Sequence, residues 1–365
     1  MNEQRPFALG TFSAAGSAPF PGLVIDECVI ALHALRPLSW QLGSGLLGES
    51  MLELLEHWPH NLQALCALAA ALETSAGAAV ARLAVPVAQL HVAPPVQPRQ
   101  ILCAGANYRK HVIDLIIDQP VTVDAGVPRE DRRRHAEALM DHRAAHGKPF
   151  CFSKLTSCLI GPRDEVVLPV DMQQPDWELE LAAIIGRPAR RVSRQRALEY
   201  VAGYSIGNDL TGREMLGRPD IPSMGHDWVA GKCAPTFQTL GPYIVPAQFV
   251  ADPQQLQITL KLNGQIMQDE STADMIHPVA RLIEWASTHM QLLPGDVLLS
   301  GSPSGNGTHY QRFLKPGDLM EASITGLGSQ RNLCIAEQLS AEQAAVRFQR
   351  AEKYQGVPAA PKPTH

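Results

Sequence analysis

Apolar and polar positions change rhythm several times along the chain. Residues 7–33 alternate short apolar runs with Gly/Pro/Ser turns ("FALGTF", "PGLVID", "CVIALHAL"), which predicts two or three strands. Residues 47–83 carry apolar side chains at helical spacing ("LLGESMLELLEHW", "LQALCALAAALETSAGAAVARL"), which predicts two helices. The proline-rich "VAPPVQPRQ" (92–100) then marks a boundary, so 1–95 reads as a small N-terminal α/β domain. Next, "ILCAGA" is a buried-strand run and "NYRKHVIDLIID" opens a helix. A polar, mixed-charge stretch over 119–149 follows. Its "PREDRRRHAEALMDHRAAHG" predicts a solvent-facing helix ended by Gly147, with a narrow apolar stripe of Ala136, Leu139, Met140 and Ala144. Thereafter short strands ("VVLPV", "ELAAIIG", "VAGYSIGND", "LGPYIV", "LQITLKLNG", "DVLLSG", "LMEASITGLG") recur between P-G-D, N-G and G-P turns. One clear helix, "PVARLIEWASTHMQ" (278–291), interrupts them. The pattern predicts an α+β fold, predominantly β: a mixed core, rolled or sandwiched, over 96–340, with 341–365 as a C-terminal tail. No repeat of 20–50 residues and no Walker or dinucleotide glycine motif is present.

Composition narrows the class. The 365 residues are 45% hydrophobic and 18% charged, with 29 prolines and 28 glycines, a globular and loop-rich balance. A net charge of −5 offers no global basic field, so neither nucleic acid nor anionic lipid is an expected partner. Seven scattered cysteines, odd in number and without a C-x-x-C pair, argue against a disulfide framework or zinc site and for a reducing compartment. No apolar run reaches the roughly 18–20 residues that span a bilayer. The opening "MNEQRPFALGTF" lacks a signal-peptide layout, so a cytoplasmic protein is expected.

The candidate chemistry starts at "PDWELELAAIIG" (175–186). In a strand, residues i and i+2 share a face, so Glu178 and Glu180 converge while Leu179 and Leu181 enter the core opposite. Two close carboxylates repel, and in a dry pocket one of them takes up a proton unless a hard divalent cation relieves the pair. An exposed strand with two solvated glutamates is the alternative. Asp209 stands where the strand "YVAGYSIGND" ends, placed either to ligate such a cation or to cap the following turn. His111, in "NYRKHVID", is by itself either a surface or capping residue or a base.

Several segments, taken together, resemble the fumarylacetoacetate hydrolase family in order and spacing. They are "PDWELELAAIIGRPARRVSRQRALEYVAGYSIGNDLTGRE", "GKCAPTFQTLGPYIV", "LNGQIMQDESTADM" and "LLPGDVLLSGSPSGNG" with "FLKPGDLMEASITGLG", and "ILCAGANYRKH" resembles the family's entry into its catalytic domain. The likeness covers about 100–335. It implies a mixed β-roll, barrel-like, holding Mg²⁺ or a similar ion (Mn²⁺, Ca²⁺) through an E-x-E pair and a later Asp, here Glu178, Glu180 and Asp209. It implies that His111 activates water beside an acid three residues on. Asp114 stands there in place of the usual Glu, with Asp118 as a possible substitute on the same helical face. Lys232 and Arg213 match the family's cationic donors to a substrate carboxylate or oxyanion, each being otherwise a surface charge. Ser302 replaces the threonine of G-T-P and keeps a hydroxyl for a carboxylate oxygen, while Lys154 matches a family lysine with a substrate or framework role. "QDESTADM" reads as architecture around the site and the subunit contact, and a homodimer is implied.

The activity so implied is metal-dependent hydrolysis of a C–C bond in an acylpyruvate-like or other 1,3-dicarbonyl acid, late in aromatic-ring breakdown. Isomerisation, decarboxylation or hydration of a 2-oxo acid in the same site is the neighbouring reading. A non-catalytic metal-binding scaffold is the reading of another class. The 119–149 segment, longer than expected between these motifs and anchored near the site at both ends, reads as a lid, a surface decoration or a subunit contact.

Overall fold

The computed structural model describes residues 5–118 (backbone only at 118), 126–221, 223 and 225–346. Residues 119–125 of the expected lid and 347–365 of the expected tail lie outside that range. The N-terminal alternation becomes the antiparallel strands Ala8–Ser13, Phe20–Ile25 and Cys28–Ala31. The chain then turns helical at Leu32, inside the last expected strand run. Leu32, Leu35 and Leu38 recur at helical spacing and all are buried, so packing decided between two rhythms that overlap here. Helices Met51–Glu56 and Trp58–Ala71 follow, the first started by a Ser50–Glu53 capping box.

A sheet of twelve strands forms the centre. Across its middle lie, in order, Gln238–Pro246, Val201–Asp209, Leu179–Ile185, Val297–Leu299, Ile101–Gly105 and Phe150–Lys154. Ala8–Ser13 is bonded to the Gln238–Pro246 strand, with Leu9 opposite Ile244, so residues of 1–95 extend this sheet. A second sheet of five strands is built from Gln265–Ser271, Gln257–Leu262, Leu319–Ile324, Gly328–Ala336 and Val166–Leu168. The large sheet runs from Val85–Pro86 at one edge to Phe150–Lys154 at the other and forms no closed barrel among the described residues. The fold is α+β and predominantly β.

Leu179–Ile185 is buried on both faces, and its alternation divides the core in two. Leu179, Leu181, Ala183 and Ile185 pack with Ile258, Leu260 and Met320 of the five-stranded sheet and with Leu282 and Ile283 of the helix Val279–His289. Ala182 and Ile184 point the other way, onto Trp58, Leu65 and Leu68 of the N-terminal helices. Each fully buried Leu or Ile contributes about 1.5–3 kcal/mol, so both faces anchor the strand firmly. Glu178 and Glu180 share the parity of Ala182 and Ile184, and therefore emerge at the end of the face that the N-terminal helices cover. Among the described residues no helix is long and apolar enough to cross a membrane.

Candidate active site

Strand register assembles the carboxylates. Leu179 lies opposite Asn208 and Glu180 opposite Gly207, while the Asp209 amide donates to the Glu178 carbonyl at 2.8 Å. Gly207 is required there: a Cβ would come within 2.5 Å of Leu299 Cδ2. Carboxylate oxygens of Glu178, Glu180 and Asp209 consequently lie within 4.8 Å of one another, and all three residues are buried.

Buried cations hold this cluster together. Lys232 Nζ donates to Glu178 Oε2 and to Asp209 Oδ2, each at 2.5 Å. Lys154 Nζ donates to Asp209 Oδ1 at 2.6 Å and to the Phe237 and Leu210 carbonyls at 2.6 and 3.1 Å. Arg213 bridges Asp176 Oδ2 (2.8 Å) and Glu178 Oε1 (2.6 Å). Burial pushes the Glu178 carboxyl up, yet Arg213 and Lys232 outweigh it and hold the group well below the usual carboxylate range. Among the described residues Glu180 receives only the Gly301 amide, at 2.7 Å. Burial, with the charges of Asp209 and Glu178, drives its carboxyl well above the usual range.

These residues fit a divalent cation. The donors are all carboxylate oxygens, the choice of a hard ion such as Mg²⁺, Mn²⁺ or Ca²⁺. Glu180 is the buried carboxylate without a counter-charge of its own, a deficit that one more positive charge would remove.

His111 lies on the helix Arg109–Asp118 and faces the cluster across a cavity of about 540 Å³ that also touches Glu178, Glu180, Asp209, Lys232 and Ser302. Burial lowers its pKa to about 4 against the pull of Glu178, so the imidazole is neutral at neutral pH. No hydrogen bond holds the ring among the described residues. Asp114, expected to orient it, instead accepts from Ser304 Oγ at 2.8 Å and lines a smaller adjoining cavity of about 260 Å³. Its side chain is one methylene shorter than glutamate, and Ser304 meets it from the facing loop. The side chain of Asp118 lies outside the described residues. Ser302 Oγ accepts from Gln268 Nε2 at 3.0 Å and donates to the Pro303 carbonyl at 3.3 Å, within reach of the cavity.

The expected residues Glu178, Glu180, Asp209, Lys232, Lys154, Arg213, His111 and Ser302 thus converge, while Asp114 shares the smaller cavity with His111 but is bonded to Ser304. Two groups escape the sequence reading, Asp176 and an aromatic set, while Gln268 lies in the segment read as architecture around the site. Asp176 accepts from the Gly307 amide (2.5 Å), the Thr308 amide (3.1 Å) and Thr308 Oγ1 (3.0 Å) while anchoring Arg213, so it ties the rim to the carboxylates. Gln268 fixes Ser302 and accepts from the Leu179 amide at 3.1 Å. Phe150, Phe152 and Trp228 line the large cavity. The available signals were Asp176 beside the E-x-E pair, and Phe-Cys-Phe leading into Lys154 with alternate residues on one face.

Comparison with known proteins adds the following. Residues 100–334 match the family model for the C-terminal region of fumarylacetoacetate hydrolase. The human mitochondrial oxaloacetate tautomerase FAHD2B is 35% identical over 239 residues, which cover 65% of this chain and 67% of that protein. Maleylpyruvate hydrolase from Sphingobium sp. SYK-6, solved in complex with manganese(II) and pyruvate, superposes with a TM-score of 0.63 at 27% identity over 91% of this chain and 100% of that one. Fumarylacetoacetate hydrolase from Exiguobacterium antarcticum gives 0.65 at 26% identity, with the same coverage.

Proposed function

The chain belongs to the fumarylacetoacetate hydrolase family, and on that premise we propose that it is a divalent-metal-dependent enzyme catalysing keto–enol proton transfer in a small 2-oxo acid. Glu178, Glu180 and Asp209 would hold the ion. When bound, the ion supplies Lewis-acid polarisation of a carbonyl oxygen. One observation carries the choice of reaction: His111 is buried and neutral, and among the described residues no carboxylate is hydrogen-bonded to its ring. An imidazole in that state accepts a proton from the carbon beside a carbonyl and returns it, with no need to orient an attacking water. Lys232 and Arg213 keep the site cationic enough to hold the substrate carboxylate. The tautomerase among the relatives agrees with this reading.

C–C hydrolysis of an acylpyruvate-like or other 1,3-dicarbonyl acid is the second reading, and Asp114 favours it. The residue lies one helical turn from His111, and exchanging Ser304 for the imidazole would complete a water-activating pair. The hydrolases among the solved structures favour it too. A homodimer is part of the proposal and is read by light scattering.

Incubating the Mn²⁺-loaded chain in D₂O with oxaloacetate and acylpyruvates separates the readings. Proton transfer exchanges the C3 hydrogens and keeps the carbon skeleton, whereas hydrolysis releases two acids. Absence of both in every substrate would leave the non-catalytic metal-binding reading.

A further inference from the structure

Three aromatic rings stand beside the carboxylate cluster and take no part in holding it. Lys232 Nζ, which contacts Glu178 and Asp209, lies 5.1 Å from the centroid of the Phe152 ring. Trp228 stacks on the other partner in that line, 4.4 Å from the Phe152 centroid and 13° from parallel. Phe150 closes the group at 5.5 Å from Trp228 and 6.4 Å from Phe152. A continuous aromatic surface therefore begins at the lysine of the reactive end and runs outward along the cavity.

We infer that the substrate is a 2-oxo acid whose far end is an aromatic ring, seated against Phe150 and Trp228 with Phe152 stacked behind them. The inference rests on the metal-dependent 2-oxo-acid reading above and specifies the substituent. Leu115 and Leu216 complete the apolar lining of the same cavity, whose volume of about 540 Å³ far exceeds a pyruvate unit. Phe150, although it lines this cavity, is 46% exposed, so a flat ligand would remove from water a face that the fold leaves wet. At this end of the cavity the donors are few, the Trp228 indole N–H and the His226 ring 5.3 Å from that indole, against the apolar faces of the two phenylalanines and two leucines. The adjoining cavity of about 440 Å³ is the more polar: it shares Arg213 and His226 with the first and adds Gln174 and Thr308.

Pyruvate and phenylpyruvate differ only by the phenyl ring and so isolate the surface. Calorimetric titration of the Mn²⁺-loaded full chain should show phenylpyruvate bound about 10-fold tighter or more, the gain from ring burial and stacking. Trp228→Ala should collapse that preference toward unity, and Trp228→Phe should retain most of it. Phe150→Ala, at a half-exposed position, should also lower it and keeps the test intact if Trp228→Ala does not fold. Equal affinity for the two acids, or a preference that survives both alanine variants, would overturn the inference while Mn²⁺-dependent pyruvate binding still stood. If neither acid binds the Mn²⁺-loaded chain, the 2-oxo-acid reading itself falls.

Discussion

The carboxylate cluster and the helix facing it across the cavity are held in opposite ways. Glu180 and Asp209 stand on neighbouring strands whose flanking residues are buried on both faces, Glu178 stands immediately before the first of them, and lysine, arginine or amide donors meet all three. His111 stands on a helix that packs through a small cluster, Val112, Ile113 and Ile117 against Ala136, Met140 and Ile276. Its partner helix, Arg129–His146, buries only Ala136 and Met140, and Leu139 of the expected stripe is exposed. An ion pair between the two helices, Arg109 with Asp141, is open to solvent. The difference teaches how the proposed labour would divide: the side proposed to hold the ion is tied by many buried partners before any ligand arrives, whereas the side carrying the proposed base is tied by fewer.

The sharpest way to break the fixed side is Asp209→Ala. It should abolish metal-dependent activity and Mn²⁺ binding measured by calorimetry, since a hard cation loses one of its anionic donors. It should also cost about 3–5 kcal/mol in denaturant unfolding, because Lys154 and Lys232 would be left buried without that partner. On the other side, His111→Ala should lower turnover about 10²–10⁴-fold and leave Mn²⁺ affinity as it is. A parallel loss of metal affinity would erase the distinction between the two sides.

His277 gives a finer probe of the support beneath the His111 helix. Its amide donates to Asn107 Oδ1 at 2.9 Å, and its ring is buried with neither nitrogen bonded. Burial, with Arg281 and Arg143 nearby, lowers its pKa from 6.5 to about 4. Between those values the unfolded chain binds more protons than the folded one. The stability contributed is therefore present above pH 6.5 and lost as the pH falls toward 4, at most about 3 kcal/mol. Urea unfolding at pH 7 and pH 4.5 should show His277→Gln with a visibly smaller acid loss than the parent. Smallest of all, Arg109→Ala should cost less than about 1 kcal/mol. If the lid reading of 119–149 holds, the same change should raise hydrogen exchange over Arg129–His146, and Mn²⁺ with oxalate should suppress it. Unchanged exchange in both cases would leave a decorative helix.

What could be read from the sequence follows the same division. A two-residue period made it legible that Glu178 and Glu180 share a face, and the pattern showed a strand ending at Asp209, but that the three form one set came from the family resemblance. Their neutralisation was not legible, since Lys154 and Lys232 reach Asp209 from 55 and 23 residues away through a register that no local pattern records. Asp114 shows the limit more plainly. Helical spacing puts it beside His111, but its partner, Ser304, comes from 190 residues further on. Leu32–Gln41 failed for another reason: one apolar run satisfied both periods, and only burial against the other helices chose between them.

The shared face of Leu179–Ile185 has a practical consequence. Glu180 and Ala182 are successive residues on one side of one strand, and the N-terminal helices seal that side just behind the carboxylates. Residues 1–95 are therefore insulation for the reaction chamber as much as a module of their own. Cutting the chain at the proline-rich connector would bare Ala182, Ile184, Leu240 and Ile244 along a strip leading straight to buried charge. Such a fragment would have a sticky, water-admitting back wall, and engineering that aims at a minimal catalyst should keep the front of the chain attached.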